Sequence, residues 1–330
     1  MTNIVFLISM PRSGSTLLQK VLSKSPDIAS TAEPWIMLPF WGMREPQAMR
    51  AVYDHQTCTM AIDDFVESIE NGEAEMDEAI RLFANHLYGK AANGRRFFLD
   101  KTPRYFLEID FLRRIFPDAY FLILLRNPIS VFSSLCETFQ KGRFVWLDHW
   151  VDWIEGQRAI ARAVRVPANR QITISYEQLA LKPEAVVPEL CRWLGIEFNP
   201  SMISDYQSAD FSGRLGDPTG VRKYGSVSVK SLEKWRDYLC SSYRRKKMKA
   251  LLKYISDEDL CSIGYPRGDL HAQLDGMQLK KGLDLEGRFW GLLNTTATLF
   301  DFRYIKLRYE AARKNENYAC GYYRKTPPNQ

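Results

Sequence analysis

The sequence predicts an α/β protein, with a central parallel sheet of about five strands flanked by helices. Three observations predict it. Nearly unbroken apolar runs at residues 4–10 and 119–125 read as parallel strands buried on both faces, and shorter segments at 28–31, 95–100 and 171–175 read as further strands. Helical patterns separate these runs, which is the alternation of βαβ units. Two of the runs also lead straight into a turn that carries an arginine and then into a helix.

The 330 residues suffice for one α/β domain with insertions, or for a domain and a tail. The net charge of +6 is modest for this length. It does not argue for nucleic acid, but it suits a protein that holds a polyanionic ligand. The six cysteines are scattered without a C-x-x-C pair, and the four histidines form no H-x-x-x-H group. Reduced, mostly buried thiols are therefore expected, and no metal site. The run at 4–10 lacks the charged flank of a secretory signal, and no apolar stretch reaches the roughly 18 to 20 residues of a membrane span. A cytoplasmic location is expected.

Taken in order, the first strand runs into Pro11, Arg12, Ser13, Gly14, Ser15 and Thr16, which are turn and capping residues. Leu17, Leu18, Val21 and Leu22 then recur at helical spacing. Such a loop aims backbone N–H groups and a helix dipole at one spot, where an anion can sit. Arg12 adds a forked cation suited to phosphate or sulfate. An ordinary capped turn would read the same way. The mononucleotide P-loop would need G-K-[ST], which is absent.

After the second strand, Glu33 precedes Pro34 and is biased toward an extended conformation at the strand's carboxyl end. Ligands bind at that end in open α/β sheets; a solvated loop carboxylate is the plainer reading. Residues 35–93 read as a helical insertion, with a stripe of Met76, Ala79, Ile80, Phe83, Leu87 and Tyr88. Its aromatics Trp35, Phe40 and Trp41 suit sugar rings or a core.

The third strand ends at Lys101-Thr102-Pro103, where Lys101 is either a strand-tip cation or a surface charge. Residues 104–116 read as a helix. The strand at 119–125 enters Arg126-Asn127-Pro128 and a helix with Ser133 and Ser134, a second strand–loop–helix unit; Arg126 alone could be a cap or salt-bridge partner. Residues 144–164 read as one long amphipathic helix, on which His149 is packed or solvent-facing rather than a base. The fifth strand is followed by Tyr176-Glu177-Gln178-Leu179, and residues 218–228 read as a flap. Residues 242–254 carry six Lys/Arg and no acid, either a solvated helix face or a contact with an acidic acceptor or a membrane surface.

Pro11 to Thr16 fit P-[KR]-[ST]-G-[ST]-[ST], the form of the 5′-phosphosulfate loop of sulfotransferases. The arginine version resembles the tyrosylprotein and carbohydrate branches of that family. Further matches follow in the same order. Glu33 lies 21 positions after Arg12, where the tyrosylprotein enzymes carry their catalytic base, although the Arg that follows it there is Trp35 at the corresponding place here. Lys101-Thr102-Pro103 resembles K-[TSD]-P, whose Lys sits near the transferred group. Arg126 and Ser134 keep the spacing of the 3′-phosphate motif, Tyr176 opens a Y-E-[DQ]-L that lends a Tyr to the nucleotide site, and Ser228-x5-Lys234-Trp235 resembles the segment that closes over the nucleotide.

The resemblance covers roughly residues 3–266 and implies a fold like that of P-loop nucleotide kinases, with the insertion at 35–93 on the acceptor side. It implies 3′-phosphoadenosine 5′-phosphosulfate (PAPS) as sulfuryl donor and 3′-phosphoadenosine 5′-phosphate (PAP) as product, without a metal. Arg12, Lys101 and Glu33 would be catalytic. Ser13 to Thr16, Arg126, Ser134, Tyr176, Ser228 and Lys234 would join Arg12 in holding the nucleotide. A sulfotransferase domain at 1–266 and an extension at 267–330 for packing or homodimer formation are expected. A glycan or glycolipid hydroxyl is the first-choice acceptor and protein tyrosine the second. A kinase-like phosphotransferase and a non-catalytic PAP-binding protein are the readings from other classes.

Overall fold

The structure is a computed structural model and describes residues 2–45, 48–49, 53–208, 211 and 230–300. Five parallel strands form one sheet: β1 (Asn3–Ser9), β2 (Ile28–Ser30), β3 (Phe97–Asp100), β4 (Tyr120–Leu125) and β5 (Gln171–Ser175). Their spatial order is β2-β3-β1-β4-β5. The chain leaves β1 toward one side to make β2 and β3, then crosses to the other side for β4 and β5. The loops leaving the carboxyl ends of β1 and β4 therefore part in opposite directions, which opens a crevice of the kind that binds ligands in such sheets.

The apolar runs form strands because both faces of the sheet are covered. On one face Val5 and Leu7 pack with Leu18, Val21 and Leu22 of the helix Ser15–Leu22, and with Leu179, Val187 and Leu190 from the helices after β5. On the other, the Phe6 ring stacks on Phe121 with centroids 5.6 Å apart and meets the edges of Tyr105 and Tyr88.

Two helices expected from periodicity are broken. Residues 104–116 form a 3₁₀ turn (Tyr105–Leu107) and a helix (Ile109–Ile115), divided at Glu108. The stretch 144–164 is a 3₁₀ turn (Leu147–His149), a π-helical turn (Val151–Glu155) and a helix (Gly156–Arg165). The π turn carries an extra residue. It lets Trp153 Nε1 donate to the Pro128 carbonyl at 2.8 Å while Gly156 faces Met10, where a Cβ would lie 2.4 Å from the sulfur. His149 is buried beside the Phe139 ring.

The described residues fall into two compact units, 2–34 with 85–292, and 35–84 with 293–300. The second unit contains the helices Leu38–Met43 and His55–Glu67 and most of Gly72–Ala92. Asp54 caps His55–Glu67 by accepting from the Gln56 and Thr57 amides, and Arg44 pairs with both Asp63 and Glu73 at 2.6 Å. Of the stripe read from the sequence, Ile80 and Tyr88 are buried whereas Phe83 and Leu87 are exposed; the buried side runs through Ala84 instead. Among the described residues no helix is long and apolar enough to cross a membrane.

At the tip of β3, Asp100 is fully buried and accepts from Tyr88 Oη (2.6 Å), Tyr105 Oη (2.9 Å) and Thr102 Oγ1 (2.9 Å). Burial pushes its carboxyl from the ordinary 3.8 up to about 6, against the pull of those three donors. Nearby Glu108 is also buried, both its oxygens lack a partner, and its pKa is raised by burial and then by the Asp100 charge. A carboxyl whose folded pKa is raised binds protons more tightly when folded. Its stabilising contribution is complete below the unfolded pKa and is lost as pH rises through the folded one. For Asp100 this is a loss on the order of 3 kcal/mol between about pH 4 and pH 6. Subtracting the pH–stability curve of Asp100→Asn from that of wild type, by urea titration, should expose this downward step; a flat difference would contradict it.

Candidate active site

All five strands deliver a candidate residue at their carboxyl ends. Read across the sheet from β2 to β5, the order is Glu33, Lys101, the Arg12–Thr16 loop, Arg126 and Tyr176. Sequence order interleaves these residues; only the strand order brings them into this row.

The loop after β1 is shaped by two residues at positive φ, Arg12 at 67° and Gly14 at 92°. For Arg12 that conformation is strained, and such strain gathers where a loop must point its amides inward. Gly14 precedes the helix Ser15–Leu22 and brings no side chain to accept from the first-turn amides. A Cβ there would also lie 2.3 Å from Cδ2 of Tyr176, so only glycine lets that ring close on the loop. Ser13 Oγ is buried without a hydrogen-bond partner, while Ser15 is buried and Thr16 half-buried at the helix start.

Tyr176 joins the first loop to the second. The Arg126 guanidinium carbon sits 4.4 Å from its ring centroid, and its hydroxyl is 2.7 Å from Ser231 Oγ. Arg126 donates to the Arg12 carbonyl at 2.6 Å and to the Ser231 carbonyl at 3.1 Å. Burial pushes the Arg126 guanidinium below its ordinary pKa, with Tyr176 and Glu177 opposing and Arg12 adding to the shift. Its Nε remains a buried donor without a partner. Arg12 Nε donates to Ser134 Oγ at 3.2 Å. Arg12, Gly14, Arg126, Ser134 and Tyr176 thus form one connected group. The sequence reading gave Arg12 and Ser134 to different phosphates, yet here they touch.

On the other side of the loop, Lys101 Nζ and Glu33 Oε1 pair at 2.6 Å. Their side chains are only 2% and 11% exposed, so this ion pair is largely shielded from water. Gln19 ties the end of β2 to the first helix by donating to Ser30 Oγ and to the Thr31 carbonyl, each at 2.7 Å.

Lys234 lies on the helix Lys230–Tyr238, which packs on Pro128–Phe139, and its charge acts on Glu137. Ser228 and the expected flap at 218–228 lie outside the described residues. Sequence reading missed Ser231, which carried no motif signal, and the function of Glu177. The Glu177 carboxylate accepts from the Asn127 amide at 3.0 Å and from Tyr265 Oη at 2.6 Å, clamping the turn that presents Arg126. Glu177→Ala should destabilise the protein by about 2 kcal/mol, since two donors to a charged acceptor lose their partner. Amide exchange at Asn127 should accelerate in the same variant. Unchanged exchange there would remove Glu177 from this role.

Among the described residues no cluster of three or more His, Cys, Asp or Glu is arranged to hold a metal ion. What the site concentrates is cations and amide donors, the chemistry of an anionic ligand.

A sequence profile of the sulfotransferase family matches residues 4–200, the segment that contains all five strands. Nodulation protein NoeE of Sinorhizobium fredii is 27% identical over 299 residues, covering 83% of this chain and 68% of that one. Protein-tyrosine sulfotransferase 2 of Gallus gallus is 23% identical over 257 residues, covering 76% of this chain; the chain spans 63% of that relative's length. In structure, the sulfotransferase domain from the curacin biosynthetic pathway is similar with a TM-score of 0.52 and 23% identity, covering 77% of this chain and 98% of that one. That likeness speaks for the fold, and the profile match for the lineage: the chain belongs to the sulfotransferase family.

Proposed function

We propose that this protein moves a sulfuryl group from PAPS to an acceptor hydroxyl, with Glu33 as base. The observation that carries the donor assignment is the linkage of the two arginine loops. Arg126 donates to the Arg12 carbonyl, Arg12 to Ser134, and Ser13 Oγ and Arg126 Nε are buried donors without partners. A nucleotide with anionic groups at both its 3′ and 5′ ends fits such a site because its oxygens accept from donors that would otherwise be desolvated at a cost.

In this reading the acceptor oxygen attacks sulfur as the bond from sulfur to the bridging oxygen of the 5′-phosphate breaks. The acceptor proton passes to a Glu33 carboxylate oxygen. Negative charge grows on the departing 5′-phosphate, where amides of residues 13–16, Arg12 and Lys101 stabilise it. By analogy with phosphoryl transfer the transition state is loose, so positioning and charge stabilisation supply most of the acceleration. Arg126, Ser134, Lys234 and Ser228 would hold the 3′-phosphate, with Tyr176 against the nucleotide.

The acceptor we favour is a carbohydrate hydroxyl, on a glycan or glycolipid. Trp35, where the tyrosylprotein motif has an arginine, and the aromatics Phe40 and Trp41 support it. A tyrosyl acceptor is the second reading, supported by the similarity to protein-tyrosine sulfotransferase 2. Labelled PAPS offered to a panel of glycans, glycolipids and tyrosyl peptides, with mass-spectrometric detection of sulfated product, decides between them. Sulfate on tyrosine alone would overturn the carbohydrate reading.

A further inference from the structure

The helix Leu285–Phe300 begins inside out. Its inward positions include Gly287 and Gly291, and a Cβ at Gly291 would lie 1.8 Å from Tyr243 Oη. Its large apolar side chains face water instead: Leu285 is 71% exposed, Phe289 57% and Leu292 64%, with Leu283 just before it at 73%. Residues 285, 289 and 292 share one side of a helix. A helix of a globular domain turns such a stripe toward the core. The stripe is held outward by a firm anchor. Asp284 accepts from Arg244 Nε at 2.9 Å and from Ser241 Oγ at 2.7 Å, the Lys280 amide donates to the Cys240 carbonyl, and the Arg143 guanidinium lies over the Trp290 ring.

Cations flank this stripe, with Glu137, Asp237 and Glu286 lining the hollow beside Lys280 and Lys281, and Asp275 pairing with Arg245 and Lys249. Lys280, Lys281 and Arg288 are exposed, and the segment is fastened to the start of the helix Ser242–Leu252, which carries Arg244, Arg245, Lys246, Lys247 and Lys249. Asp284 is taken up by Arg244, which leaves Glu286 as the one exposed acid between residues 280 and 292.

We propose that the face made by Leu283, Leu285, Phe289 and Leu292, with Lys280, Lys281 and Arg288 at its margin, docks on an anionic lipid surface. The apolar side chains enter the boundary between headgroups and acyl chains, and the flanking cations meet the negative headgroups. A second copy of this chain is the poorer occupant, because it would set like charges against one another around the contact. The inference stands apart from the donor chemistry: it rests on a different part of the chain and is read without any sulfuryl transfer.

Flotation of the full chain with vesicles tests it. Wild type should float with vesicles of equimolar phosphatidylcholine and phosphatidylglycerol, should float with pure phosphatidylcholine roughly tenfold less, and should be released by added salt. Leu285→Ser with Phe289→Ser should reduce binding by roughly tenfold or more, and Lys280→Glu with Lys281→Glu should abolish the preference for anionic vesicles. Wild type that ignores anionic vesicles, or that binds neutral ones equally well, overturns the proposal whatever the variants do. A dimer in solution that the double serine variant splits, with no vesicle binding, assigns the face to a second copy and overturns it as well.

Discussion

Glu33→Gln is expected to lower kcat by roughly 10²- to 10⁴-fold, the range spanned by loss of a general base, while leaving the dissociation constant for PAP unchanged. The substitution suits the geometry. Lys101 Nζ lies 2.6 Å from Glu33 Oε1, and glutamine keeps an oxygen there to accept that bond. What disappears is the negative charge and the capacity to take a proton. Because the pair is shielded, removing one charge also costs stability, less than the roughly 3–5 kcal/mol of deleting a buried partner outright. The test is therefore a comparison of kcat, PAP affinity and melting temperature on one preparation. A fall in kcat with intact PAP binding identifies the base. Retained turnover removes Glu33 from that role, and a parallel loss of PAP binding would make it a structural partner of Lys101.

Arg126→Ala is expected to weaken PAP binding by roughly 1.5–3 kcal/mol, the worth of a hydrogen bond to a charged group, or about ten- to a hundredfold in dissociation constant. Two carbonyls and the face of Tyr176 fix this guanidinium, so it meets a ligand already oriented. Arg126→Lys should recover only part of the affinity, because an ammonium lacks the fork that reaches both the Arg12 and Ser231 carbonyls while facing a phosphate. Calorimetry gives the number directly, and an unchanged dissociation constant for the alanine variant would refute the assignment.

The central strands β1 and β4 were legible because burial on both faces writes itself as a nearly unbroken apolar run. The edge strand β5, only one of whose residues is buried, was legible instead from its alternation of Ile172 and Ile174 with polar residues. The loops after β1 and β4 were legible because turn chemistry and a strand-tip arginine are local signals. What lay beyond reading is non-local. The strand order that sets Glu33 and Lys101 on one side of the first loop and Arg126 on the other is fixed by packing between distant segments. The hydrogen bond between Arg12 and Ser134 spans 122 positions of sequence, and Ser231 meets Tyr176 across 55. Periodicity also misread the stretch 144–164 as one helix, since the π turn that seats Trp153 against Pro128 depends on what β1 and the helix after β4 place beside it.

In the proposed function, both arginine loops grip one nucleotide at once. Titrating the wild-type protein calorimetrically with PAP and with adenosine 5′-phosphate, which lacks the 3′-phosphate, isolates the second grip. PAP should bind tighter by roughly tenfold or more, and Arg126→Ala should remove most of that difference. Equal affinities for the two nucleotides, or no heat with PAP, would contradict the account.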